Sequence, residues 1–177
     1  GSPLWLPVAP VLFCQARWLQ AHPHAPQARS YILAIERGAS MIKLQVKPDR
    51  CTGCRSCEVA CSLVHSGGCL PKEGRLWIEP KENATAFKPH ICRQCRRPRC
   101  TAACPSGALV PLPEGGARLD PEKCSGCGCC VEACPFGYLR LSSLTNTPLI
   151  CDLCSDRPGG PACAETCGEK AVVVKEV

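Results

Sequence analysis

Cysteine recurs in this chain at fixed intervals, twice over. Cysteines at 51, 54, 57 and 61 return at 124, 127, 130 and 134, each 73 residues later. A second set at 92, 95, 100 and 104 returns at 151, 154, 163 and 167, with four extra residues in its second gap. Lys47-Pro48-Asp49-Arg50-Cys51-Thr52-Gly53-Cys54 is echoed by Asp120-Pro121-Glu122-Lys123-Cys124-Ser125-Gly126-Cys127. Two halves in the same order mark duplication of a two-motif unit, and such a repeat outranks any local reading.

Nineteen of 177 residues are cysteine, a density that calls for disulfides or metal. A disulfide scaffold has no need of repeated C-x2-C triplets. Structural zinc takes two C-x2-C pairs per ion, so the third cysteine of motifs one and three is surplus for it. Cys124-x2-Cys127-x2-Cys130-x3-Cys134-Pro135 is instead the bacterial ferredoxin run, in which three cysteines hold one [4Fe–4S] cluster and the fourth reaches another. Three thiolates three residues apart wrap one cube. The fourth, displaced by a helical turn, points to a neighbour. Motif one has the same spacing, motif two is C-x2-C-x4-C-x3-C-P, and motif four is C-x2-C-x8-C-x3-C. Cys14, Cys69 and Cys129 lie outside the pattern. Using Cys129 in place of Cys130 would break the 73-residue register.

Aromatic residues are only 5%, so a large aromatic core is excluded and bound inorganic groups would take its place. The formal charge of +6 invites a nucleic-acid reading. Four clusters at roughly −2 each would bring the loaded chain near neutrality, so no nucleic-acid partner is expected. No apolar run reaches the length of a membrane span, so no membrane insertion is expected. Residues 4–13 are apolar, but they carry two prolines and no basic segment before them, unlike a secretory signal. Cysteines kept for metal point to a reducing, cytoplasmic location.

Residues 1–40 hold five prolines, one cysteine and one acidic residue, and Met41 opens the segment that runs into the first motif. We read 1–40 as an N-terminal extension or non-native segment, with Gly1-Ser2 vector-derived, and 41–177 as the domain. The sharper alternative is an arm packing on a partner through Trp5, Phe13 and Trp18. Helical turns are expected at Glu58-Val59-Ala60 and Val131-Glu132-Ala133, and Pro105 and Pro135 end such turns. Short strands are expected at Ala108–Val110, Tyr138–Leu141, Ala171–Val174 and around Trp77. The result is a small α+β fold rich in loops.

The sixteen cysteines in this order, together with Ala60-Cys61-Ser62-Leu63-Val64-His65, resemble the four-cluster iron–sulfur subunits of the dimethyl sulfoxide reductase type. The likeness covers residues 42–177 and is greatest to the small subunits of carbon monoxide dehydrogenase and tungsten aldehyde oxidoreductase systems. It implies two interlocked bacterial-ferredoxin-like modules built around four [4Fe–4S] clusters, with motif pairs 51–61 with 151–167 and 92–104 with 124–134. Carried over, the ligands are Cys51, Cys54, Cys57 and Cys167; Cys151, Cys154, Cys163 and Cys61; Cys92, Cys95, Cys100 and Cys134; and Cys124, Cys127, Cys130 and Cys104. The sequence by itself leaves open the pairing of motif one with two and three with four.

The resemblance implies an electron-transfer subunit, not itself an enzyme. It would relay electrons between a catalytic oxidoreductase subunit, of molybdenum/tungsten-pterin or carbon monoxide dehydrogenase type, and a redox carrier or flavin subunit. Potentials near about −400 mV are expected. A free-standing soluble polyferredoxin and a zinc-binding interaction module are the other classes. Arg93, Arg96, Arg97 and Arg99 crowd motif two; they either dock an acidic partner or offset cluster charge, and Lys88 and His90 share that role. His65 tunes a cluster or is a loop residue. No nucleotide loop or nucleophile–base pair occurs.

Overall fold

The computed structural model describes residues 42–82, 86–113 and 115–176; residues 1–40, with Cys14, Trp5, Phe13 and Trp18, lie outside them. The two ends of this span pair with each other. Strand β1 (Ile42–Val46) runs antiparallel to β6 (Val172–Glu176), with Leu44 opposite Val174 and Val46 opposite Val172. Three successive β-branched valines in β6 suit an extended, half-buried ribbon, and Val172 is fully buried.

Helix α1 (Ser56–Ser66) is the longest element. It opens after Arg55 in the left-handed region and closes at Gly67, also left-handed, whose N–H donates to the Leu63 carbonyl. Glycine is the residue that takes that cap without a Cβ penalty. Its buried residues, Cys57, Glu58, Cys61 and Ser62, form one i, i+4 face. That face carries the last two cysteines of motif one. The hairpin of β2 (Leu76–Pro80) and β3 (Phe87–Ile91) covers it, turning Leu76, Ile78 and Ile91 inward.

The middle of the chain is built from shorter pieces. Helices α2 (Arg99–Ala102) and α3 (Cys129–Glu132) are single turns packed on one another. Strands β4 (Leu109–Pro111) and β5 (Ala117–Leu119) form a three-rung ribbon. Helix α4 (Ala162–Thr166) returns to pack against α1. The strand expected at Tyr138–Leu141 does not form; one bridge joins Leu141 to Pro148. Pro148 has no N–H, so the ladder cannot continue through it.

Two apolar cores result. One gathers Leu76, Ile78, Ile91 and Val172 around Cys57, Cys61 and Cys163; the other gathers Leu109, Ala117, Leu139 and Ile150 around Cys130. Polar contacts bolt them together. The buried Glu73 carboxylate accepts from the Ser142 hydroxyl and from the N–H and hydroxyl of Ser143. Arg140 donates to the Gly74 carbonyl and lies over the Trp77 ring. Gln94, itself buried, donates to the Cys151 carbonyl.

Candidate iron–sulfur centres

The four cysteine loops share a backbone device. The residue before the second cysteine is left-handed in every motif: Gly53 (φ 73°), Gln94 (φ 49°), Gly126 (φ 68°) and Leu153 (φ 59°). This twist lets successive thiols turn toward one point. At Gly53 and Gly126 glycine is also required sterically, since a Cβ would lie 2.5 Å from the Phe87 ring and 2.3 Å from the Asn146 amide. Gln94 and Leu153 hold the same conformation at a cost of about 1–2 kcal/mol each.

The thiols converge in fours. One cavity is lined by Cys92, Cys95, Cys100 and Cys134, a second by Cys104, Cys124, Cys127 and Cys130. In the other core, burial pushes Cys57 up to about 12, with Glu58, Cys54 and Cys167 adding to it. Burial likewise pushes Cys163 up to about 12, with Cys61 and Cys154 beside it. Cys61 rises to about 11, chiefly by burial, with Cys154 adding and Arg75 opposing. In the arginine-rich half, burial and then Cys100, Cys95 and Cys134 push Cys92 up to about 11. Cys130 rises to about 12 through burial, Cys124, Cys127 and Cys104. Each of the two cavities thus draws three thiols from one motif and the fourth cysteine of another, and in the other core Cys167 stands by Cys57 and Cys61 by Cys163. Buried thiols that repel each other's ionisation fit a group that supplies compensating positive iron and takes only sulfur ligands. Cys130 lies in this setting, whereas Cys69 is exposed on the surface.

The fourth cysteine of each motif also receives hydrogen bonds. Tyr138 N–H reaches Cys134 Sγ at 3.5 Å, and Ala171 N–H reaches Cys167 Sγ at 3.2 Å. At Cys104 burial pushes the thiol up, but the Ser106 hydroxyl and the N–H groups of Leu109 and Ala108 outweigh it and hold it below its ordinary value. In these three motifs a donor lies four residues on. In motif one α1 continues past Cys61, and Arg75 N–H supplies the bond from across the fold at 3.3 Å.

Other polar residues surround the groups. Glu58, buried beside Cys57, accepts from Ile78 N–H at 2.5 Å. Arg75 pairs with Asp152 at 2.5 Å, and His65 lies 3.5 Å from Asp152 and 3.6 Å from Cys154 Sγ. Burial, then Arg75, hold His65 below its ordinary value. His90 stacks on Trp77 and meets Tyr138 edge-on. Sequence reading missed Glu58, Glu73, Arg75, Gln94 and Asp152. Only Gln94 carried a signal, because it occupies the slot that is glycine at 53 and 126.

Fold and site together define a ferredoxin-type, cysteine-ligated iron–sulfur protein. Residues 83–177 match the model described as "4Fe-4S dicluster domain", and residues 48–64 match "4Fe-4S binding domain". The chain is 41% identical to the "Aliphatic sulfonate oxidoreductase, polyferredoxin-like subunit" of Pyrococcus furiosus, covering 72% of each. It is 36% identical to an "Iron-sulfur protein" of Rhodospirillum rubrum, covering 73% of this chain and 79% of that one. It is 31% identical to the B subunit of the anaerobic dimethyl sulfoxide reductase of Escherichia coli, covering 72% of this protein and 69% of that one. The chain belongs to the 4Fe–4S dicluster-domain family of iron–sulfur electron-transfer subunits of oxidoreductases. Among the described residues no helix is long and apolar enough to cross a membrane.

Proposed function

We propose that the chain binds four [4Fe–4S] clusters and relays electrons between a catalytic oxidoreductase subunit and a redox carrier in the cytoplasm. The observation that supports this is that two cavities are each lined by three thiols of one motif and one of another, while Cys167 lies beside Cys57 and Cys61 beside Cys163. In this reading sixteen thiols form four groups of mixed origin. The first is Cys51, Cys54, Cys57 and Cys167. The second is Cys61, Cys151, Cys154 and Cys163. The third is Cys92, Cys95, Cys100 and Cys134, and the fourth is Cys104, Cys124, Cys127 and Cys130. Motifs one and four then make one ferredoxin-like module and motifs two and three the other, the two interlocked through Glu73, Arg140 and Gln94.

A bound [4Fe–4S] cluster accepts and releases one electron without breaking a bond. The chain's part is to hold the thiolates, exclude water and aim N–H groups at sulfur, which raises the potential by favouring the more negative state. Adjacency of the groups supports a relay. Cys163 stands near Cys57, joining the first two groups; Cys151 stands near Cys92, joining the second to the third. Cys100 and Cys104 pack on the same core, joining the third to the fourth.

The test is iron and acid-labile sulfide content of protein isolated without oxygen. About 16 iron atoms per chain are expected from four per cubane. Zinc without sulfide would overturn the reading. Co-isolation with a molybdenum or tungsten enzyme, or with a carbon monoxide dehydrogenase, would identify the partner. A lone stable monomer from the native source would favour a free polyferredoxin instead.

A further inference from the structure

The four exposed arginines of motif two take no part in holding the thiols. Arg93, Arg96, Arg97 and Arg99 all lie at the surface. Among the described residues the carboxylates that form ion pairs are engaged by Arg75, Arg157, Lys123 and two histidines, and none by these four. Residues 86–113 carry these arginines and Lys88 but no Asp or Glu. Offsetting cluster charge does not explain them. Motif three, 124–134, builds an equivalent thiol group with no Lys or Arg at all. One cluster of roughly −2 would still leave this segment about +3.

Their placement is specific. Arg93 and Arg99 line the cavity of Cys92, Cys95, Cys100 and Cys134. The Arg93 guanidinium lies 4.6 Å from the centre of the Phe136 ring, which is held on the same rim and is 39% exposed. A cationic rim with one exposed aromatic ring has the make-up of a protein-docking patch, where arginine and aromatic residues are enriched. Arginine forks engage carboxylates two-pronged.

We propose that this rim is the docking face for an acidic electron-carrier protein, which it seats beside the thiols of the third group. The proposal rests on the electron-relay reading above. Steering by such a patch raises association rates by about 10 to 1,000-fold and weakens with salt.

The test uses the full, iron-loaded chain and an acidic plant-type [2Fe–2S] ferredoxin, with association followed by surface plasmon resonance as salt is raised. The Arg96→Glu/Arg97→Glu/Arg99→Glu variant should associate about tenfold more slowly, or worse, and lose its salt dependence. A control of equal charge change on other exposed lysines, Lys72→Glu/Lys81→Glu/Lys175→Glu, should associate close to the unaltered rate. Equal loss in both variants would reduce the effect to net charge and overturn the proposal. So would an unchanged rate with shifted cluster potentials, or binding of single-stranded RNA at this face in place of the carrier. Iron content measured on the same samples separates this failure from failure of the relay reading. If charge reversal costs iron, Arg96→Gln/Arg97→Gln carries the same test, with a smaller slowing expected.

Discussion

The half built from motifs one and four and the half built from motifs two and three use one cysteine pattern in two settings. In the first, an eleven-residue helix, a hairpin and the β1–β6 ribbon pack around most of the thiols. Cys57, Cys61, Cys154 and Cys163 are buried, while Cys54 is exposed. In the second, the helices are single turns; Cys130 is buried and the other seven motif cysteines are half-buried. The same ligand spacing therefore serves as the core of one half and as a rimmed, open cavity in the other. Enclosure decides which half depends on its bound group for folding and which offers that group to the surroundings.

The largest expected contrast comes from deleting one ligand in each half. Cys163→Ala removes a residue at the centre of the first core, and metal binding there is coupled to folding. Its circular dichroism and protease resistance should collapse together with about half the iron. Cys127→Ala should lose about four irons and keep its fold. Equal collapse in both would break the distinction. Within the second half, Cys130→Ala should lose a cluster while Cys129→Ala keeps full iron content; the reverse would overturn the choice of ligand.

The joint between the halves gives an intermediate effect. Glu73→Ala leaves Ser142 and Ser143 donors without their acceptor, a cost of about 1–3 kcal/mol in denaturant unfolding. The serine hydroxyls hold the Glu73 carboxyl below the usual carboxylate range. Its lowered value means the contribution is complete above the ordinary carboxylate range and is lost as pH falls through the lowered one. The stability gap between the wild-type chain and Glu73→Gln should shrink in acid; a gap that widens would be wrong in sign. The smallest effects concern the loops. Gly126→Ala should cost about 1–3 kcal/mol, because backbone and Asn146 both oppose a Cβ. Leu153→Gly, at the matching slot, should stay within about 1 kcal/mol of neutral, relief of strain offsetting lost rigidity.

Those slots also show where the sequence was readable. The cysteine register, the helical turns before Cys61 and Cys134 and the strand around Trp77 followed from local pattern. Strands β1, β3 and β5 were not expected; Pro89 in Phe87–Ile91 has no N–H for a ladder, which a two-stranded ribbon tolerates. The Tyr138–Leu141 run has strand composition but found no partner able to donate past Pro148. Glu73 and Asp152 look like ordinary surface acids in sequence. Their roles depend on Ser142 and Arg75, distant residues brought to them by the fold.

The pairing of β1 with β6 sets a schedule for synthesis. Residues 92–134 form a contiguous stretch whose cysteines are all present once residue 134 has left the ribosome. The other half cannot close until the final strand arrives, since Val172–Glu176 is what Ile42–Val46 waits for. Contacts between such distant segments form late. The cavity half would thus be assembled earlier, while α1 and its cysteines stay uncovered and exposed to oxidants until Val172–Glu176 is made.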